Sequence, residues 1–297
     1  MRVPDALTYC VVYVGFTAPN ADGVEQDYYV GSGFQISHEE RGENFYYLVT
    51  ADHIAKGVQG KRSWIRVNRK GIGGGADNVS IEAVEWFNHP TEESVDAAVC
   101  VWEWGDAYAI EAVPTEGFIE DEEDRVAKGV GIGDECFSIG IFVLAKGERA
   151  NTPLLRYGTI AMIPADRITT TAYGDIEAYL TEARSLGGVS GAPVFVRESV
   201  TFPFLIHRKK EAEFDEGTVY PTGSGSFFLL GLNHGHFEID KNDFNSIYFR
   251  NGEANIGLSV VVPAVKILEI LDHPGLKELR DEALALKPLA ESVDTLK

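Results

Sequence analysis

The chain has 297 residues, 44% of them hydrophobic, which is enough to bury a full core as one large β unit or two modest domains. Its 26 Lys and Arg against 46 Asp and Glu give a formal charge of -20, so most of the surface repels a phosphate backbone. Nucleic acid is not expected as a partner; the charge suits a basic peptide or protein surface, and more often it serves solubility alone.

At the N-terminus, "MRVPDALTYCVVYVGF" has no long apolar stretch ending in a small-residue cleavage site, so secretion is not expected and a cytoplasmic location is. No window reaches the roughly 18 apolar residues of a membrane span, and no membrane association is expected. Short runs rich in Val, Ile, Tyr and Phe follow, separated by turn residues: "LTYCVVYVGF", "DYYVGSGFQIS", "NFYYLVTA", "SWIRVNRKG", "VSIEAVEWF" and "DAAVCVWEW". This is the pattern of antiparallel strands. The three cysteines, Cys10, Cys100 and Cys136, form no C-x-x-C pair and imply no disulfide framework; Cys100, in "AAVCVW", reads as a small buried hydrophobe.

From Ala107 to Asp134 the chain is acidic, glycine-containing and weakly periodic, the mark of a connection. A second strand series comes next: "CFSIGIFVLA", "TPLLRYGTIAMIP", "IEAYLTEA", "APVFVRE", "SFFLLGLNHGHF" and "NIGLSVVVP". Two groups of six runs predict an all-β chain built as two antiparallel six-stranded β-barrels, over 1–115 and 116–262. After Pro263 the period becomes helical, with Val265, Leu268 and Leu271 on one face, so 263–297 is read as a C-terminal helical segment. Leu205 to Ser226 and Glu238 to Ala254 read as insertions, mostly solvated loops. The glycine clusters "GIGGG" and "GVGIGDE" lack the Lys-Ser/Thr ending and the strand-to-helix crossover of a phosphate loop.

In "LGGVSGAPVF" Ser190 stands between Gly188 and Gly191. Glycines in such a turn serve backbone angles that only glycine adopts cheaply, or they turn N–H groups toward a developing negative charge with the serine as attacker. The second use needs a base and an orienting acid. Of seven histidines, His53 alone ends a strand-like run, "YYLVTADHIA", and is followed by a short helical turn. Asp96, just before the apolar run of "SVDAAVCVW", is a candidate acceptor for the far nitrogen of that imidazole.

The segments "GSGFQIS", "YYLVTADHI", "VDAAVCVW" and "GGVSGAPVF", in this order, resemble the successive signatures of the chymotrypsin-like (trypsin-like) serine peptidases. The resemblance extends through "FFLLGLNHGH" and "NIGLSVVVPA" and covers about residues 9 to 271. It implies a double β-barrel with a cleft between the barrels, in a bacterial-type intracellular member. It further implies His53 as general base, Asp96 as orienting acid, Ser190 as nucleophile, and the backbone N–H groups of Gly188 and Ser190 as the oxyanion hole. A peptide or protein is then the substrate, and no cofactor is implied. Val189 stands where digestive members carry an aspartate, Ala192 where glycine is usual, and Asp52 where a small residue is common; a carboxylate exposed at position 52 would raise the imidazole pKa.

By the same resemblance Arg184 lies at the base of the substrate pocket, where it either favours an acidic substrate side chain or turns outward to solvent, and Asn233, His234 and Gly235 form a wall. His234 and His236 alternate as two metal ligands would, but no third ligand stands at a supporting spacing, and no metal is expected. The competing reading is a catalytically silent or latent double-barrel scaffold that binds partners through its long loops.

Overall fold

The computed structural model describes residues 3–71, 74–170, 174–183, 189–198, 226–236 and 257–294, with side chains through 286. The first strand series builds β1 (Val11–Pro19), β2 (Glu25–Glu40), β3 (Glu43–Thr50), the short helix α1 (Asp52–Val58), then β4 (Arg62–Asn68), β5 (Ala76–Ser80), β6 (Phe87–Asn88), β7 (Ala98–Val101) and β8 (Val113–Pro114). Seven of these strands pair antiparallel in the order β5-β4-β1-β2-β3-β7-β6, and β8 adds to β2 in parallel. Chain reversals within β-branched and aromatic runs make antiparallel neighbours the natural outcome.

The second series forms β9 (Glu135–Gly140), β10 (Leu154–Met162), a hairpin of β11 (Ile168–Thr170) and β12 (Gly174–Ile176), then β13 (Tyr179–Glu182), β14 (Pro193–Arg197), β15 (Phe227–His236) and β16 (Leu258–Pro263). Six of them close into a barrel in the order β10-β13-β16-β15-β14-β9. The chain is thus mostly β, with one closed six-stranded barrel, as expected for the second series. The first series differs: it is an eight-stranded sheet whose terminal strands β5 and β6 are not paired with each other among the described residues. The run "VSIEAVEWF" breaks at a turn in which Val84 N–H donates to Ile81 O, leaving β6 only two residues long.

The stretch from 107 to 134 carries more structure than a plain connection, since β8 and the helix α2 (Glu122–Ala127) both lie in it. Asp121 caps α2 by accepting from Asp124 N–H at 2.7 Å, and Glu122, Glu123 and Asp124 fill a first turn where negative charge is favourable. The insertions at 205–226 and 238–254 lie almost wholly outside the described residues.

One apolar cluster runs through both halves, joining Phe34, Leu48 and Ile65 to Phe137, Phe195 and Leu229. A smaller one, with Val194, Leu230 and Val261, packs separately. This explains why β15 is buried without a break from Leu229 to Asn233: Leu230 packs with the smaller cluster, Leu229 and Leu232 with the larger. Polar stitches reinforce the contact. Buried Arg66 on β4 donates to the carbonyls of Gly147 and Glu148 at 2.9 Å each, and Asn151 returns a bond to Arg66 O at 2.7 Å.

The C-terminal segment forms α3 (Ala264–Leu271), entered from Pro263, and α4 (Pro274–Asp294). The buried face of α3 is set by Ala264, Ile267, Ile270 and Leu271, while Val265 and Leu268 are only half-buried. Leu271 is buried as expected, while Ile267 and Ile270 take the inward places expected of Val265 and Leu268, and Lys266 is buried beside them among carboxylates. Arg280 on α4 fixes the helix by donating to Glu40 (2.6 Å), the Tyr47 hydroxyl (3.1 Å) and Leu271 O (3.0 Å). All three cysteines are free and buried, and burial pushes the Cys10 and Cys136 thiols up to about 12. Among the described residues no helix is long and apolar enough to cross a membrane.

Candidate active site

His53 is the second residue of α1, which begins immediately after β3 and has no side-chain cap of its own at Ala51. The orphan N–H of His53 is satisfied from the loop before β7, by Asp96 Oδ1 at 2.9 Å. The same carboxylate takes the ring: His53 Nδ1 lies 2.8 Å from Oδ2 and 3.1 Å from Oδ1. An ionised carboxylate only accepts, so the proton sits on Nδ1 and a neutral ring carries its acceptor lone pair on Nε2. Backbone and ring are held by one group. The orientation of the imidazole is therefore set by the helix start as well as by its side chain.

Asp52 does not play the part expected of an exposed carboxylate. It is 3% exposed, pairs with Lys56 at 2.6 Å and accepts from Asn88 Nδ2 at 2.5 Å.

Asp96 itself is 2% exposed and has a second imidazole on it, with His234 Nδ1 at 2.5 Å from Oδ2. The His53 and His234 rings meet edge to face with centroids 5.8 Å apart. Burial works to raise the pKa of Asp96, but hydrogen bonds from His234 and His53 outweigh it and hold the carboxyl well below the usual range. His234 arrives there through a β-bulge. In the β15–β16 ladder Asn233 faces Val261 and Gly235 faces Val260, so His234 is the extra residue with no opposite number.

Ser190 occupies the turn that enters β14, and this turn is tied from two directions. Gly191 N–H donates to Asn233 O and Asn233 N–H to Ala192 O, both at 2.8 Å, which locks it to β15. Ser32 N–H, from β2, donates to Ser190 O at 2.8 Å, which locks it to the other half. Thr50 Oγ1 supports the junction by donating to Ser32 O at 2.7 Å, and Ser32 Oγ accepts from Ile141 N–H at 2.9 Å. Gly191 has φ +80, and a Cβ there would stand 2.1 Å from Ser32 O, so the close approach requires glycine. The Ser190 hydroxyl lies against Gly235: a Cβ built on that residue would be 3.8 Å from Oγ. His53, Asp96 and His234 thus form one hydrogen-bonded group, and Ser190 Oγ stands one residue along β15 from its far end.

The other expected residues divide. Gly188 and Arg184 lie outside the described residues. Asn233 is buried and its main chain serves the Ser190 turn; Gly235 borders the hydroxyl; His234, expected on a pocket wall, has its ring on Asp96. His234 does find two potential fellow ligands, in Asp96 and His53 rather than His236, with ligand atoms within 4.8 Å of one another. Ligands around a tetrahedral Zn²⁺ at about 2.0–2.1 Å stand roughly 3.3 Å apart. The nitrogen-to-Oδ2 separations of 2.8 and 2.5 Å are shorter than that and fall in the hydrogen-bond range.

Sequence reasoning missed the charged ring behind Asp96. Lys266 on α3, 8% exposed, stands 3.4 Å from Glu92, 3.4 Å from Glu177 and 3.2 Å from Glu269. Arg167 also pairs with Glu92, and His89 lies 2.5 Å from Glu269. A cavity of about 10 Å³, room for one water molecule, is lined by Glu92, Ser94, Asp96, Glu177, His234 and Lys266. The only signal was a lysine inside the apolar run "AVKILEIL".

No protein-family model matches the chain, and no curated protein is similar to it in sequence. Among solved structures it is similar to an HtrA-type protease, AlgW with decapeptide, at 15% identity and a TM-score of 0.48. That similarity covers 91% of this chain and 66% of the other, so the chain spans less than two thirds of its structural neighbour.

Proposed function

We propose that the protein is a serine endopeptidase of chymotrypsin-like architecture, with His53 as general base, Asp96 as its orienting acid and Ser190 as nucleophile. In this reading 1–115 is the unit bearing His53 and Asp96, 116–262 the unit bearing Ser190, and 263–297 a C-terminal helical segment. The observation that carries it is the His53–Asp96 pair: a buried carboxylate that holds both the backbone N–H and the Nδ1–H of one imidazole, which a structural histidine does not need.

The chemistry follows from that tautomer. Ser190 Oγ forms a bond to the scissile carbonyl carbon while its proton passes to His53 Nε2, and the carbonyl electron pair moves onto oxygen. The imidazolium formed is stabilised by Asp96, which remains ionised. Collapse of the oxyanion breaks the C–N bond, and the departing amine takes the proton from Nε2. Water then repeats the sequence on the acyl-enzyme and releases the acid. The N–H groups of Ser190 and Gly188 are assigned to the oxyanion; losing one such donor lowers the rate on the order of 100-fold or more. Arg184, Asn233 and Gly235 are assigned to the substrate cleft.

The test is labelling by a fluorophosphonate probe, with a peptide-library digest beside it. Wild type is expected to label and to cleave, and Ser190→Ala to do neither. Equal labelling of both proteins would move the nucleophile elsewhere. No labelling and no cleavage by wild type would favour the silent or latent scaffold.

A further inference from the structure

Asp96 has one more imidazole than a base–acid pair needs. The second arrives by a device the strand ladder does not require, the extra residue of the β15 bulge. Bulges beside functional sites re-aim a side chain, and here the side chain re-aimed meets a carboxylate that is 2% exposed. A carboxylate on a short side chain retains one soft torsion, and donors that all come from His53, its N–H on Oδ1 and its Nδ1 on Oδ2, move with the residue they are meant to orient. His234 Nδ1 on Oδ2 is a donor from a different element, so it anchors the carboxylate independently of His53.

We propose that His234 is a positioning residue: by donating Nδ1–H to Asp96 Oδ2 it locks the carboxylate that in turn fixes the tautomer and ring plane of His53. This rests on the serine-peptidase reading for its consequence in rate, although the geometry it describes is independent of that reading. The charged groups on the remaining side of His234 and Asp96 are Glu92 and Glu177 from the flanking loops and Lys266 from α3, across the small cavity. Lys266 is surrounded by carboxylates and stays an ammonium.

The test uses the full chain labelled with 15N-histidine, together with His234→Asn and His234→Leu. An asparagine amide stands about where Nδ1 stood and still donates, whereas leucine fills space without donating. In wild type two far-downfield imidazole N–H resonances are expected at neutral pH, one from each ring on Asp96. In His234→Leu the resonance assigned to His234 disappears and that of His53 moves upfield and broadens; in His234→Asn the His53 resonance keeps its wild-type position. In turnover, His234→Leu is expected to lose on the order of 10- to 100-fold in kcat, the range for a support one step removed from the reacting atoms, with KM changed less than about threefold and asparagine restoring most of the loss.

A His53 resonance that is the same in wild type and both variants overturns the proposal, as does equal kcat in asparagine and leucine variants. If wild type hydrolyses nothing, the peptidase reading fails while the NMR comparison still decides the positioning claim. A circular-dichroism melt of each variant separates loss of the contact from loss of the fold.

Discussion

Replacing Gly191 with alanine tests the junction between the Ser190 turn and the first sheet. The backbone at 191 has φ +80, where an L side chain costs about 1–2 kcal/mol. The added Cβ would also stand 2.1 Å from Ser32 O and 2.6 Å from Thr50 Oγ1. The hydroxyl can rotate away, but the carbonyl is backbone in the middle of β2, so the turn must retreat. Overpacking of that kind costs about 1–3 kcal/mol, giving roughly 2–5 kcal/mol in all. Gly42→Ala is the internal control: φ there is +81, but nothing lies within 4 Å of the new Cβ, so only the conformational part of about 1–2 kcal/mol is expected. Urea unfolding followed by circular dichroism measures both variants, with the midpoint shifting at unchanged slope. Equal losses in the two would refute the close-approach argument, and a loss under about 0.5 kcal/mol at 191 would refute both parts of it.

Asp96→Asn is expected to leave the fold intact and to lower hydrolysis on the order of 10⁴-fold, measured as kcat/KM beside the probe-labelling rate. Ser32→Ala removes the acceptor for the buried Ile141 N–H and is expected to destabilise by about 1–3 kcal/mol in urea titrations. Asp96 and Glu92 both have folded-state pKa values below their ordinary ones. The unfolded chain therefore binds their protons more readily. Their contribution to stability is full above about pH 4 and falls as pH drops below it. The urea midpoint should fall between pH 6 and pH 3, less steeply in Asp96→Asn than in wild type.

Much of the scaffold was legible because the signals were local. β-branched and aromatic runs bounded by turn residues marked the strands that close the barrel, and a change of period at Pro263 marked α3. What escaped was set by non-local contact. β6 is short because a turn at Ile81 consumes the run that would have supplied it, and Lys266 is buried on α3 among carboxylates from two distant loops. α2 was readable in principle, since Asp121 followed by Glu-Glu-Asp is a helix-start pattern, but its acidity resembled a solvated linker. At the site, the apolar flanks of His53 and Asp96 marked both residues. The aim of His234 depends on a register slip in one ladder, and a list of residue types cannot encode a slip.

The bond from Ser32 N–H to Ser190 O has a consequence for anyone who would divide this molecule. It is a main-chain link between segments 158 positions apart, so the loop that presents residue 190 takes its shape from a strand made long before it. Expressed without that strand, the later portion would present the serine on an untethered turn with a bare carbonyl and would expose the core face that Phe137, Phe195 and Leu229 share with the first series. Mixing the two portions in trans should restore reactivity only as fast as they dock, which would turn a hydrolysis trace into a clock for assembly.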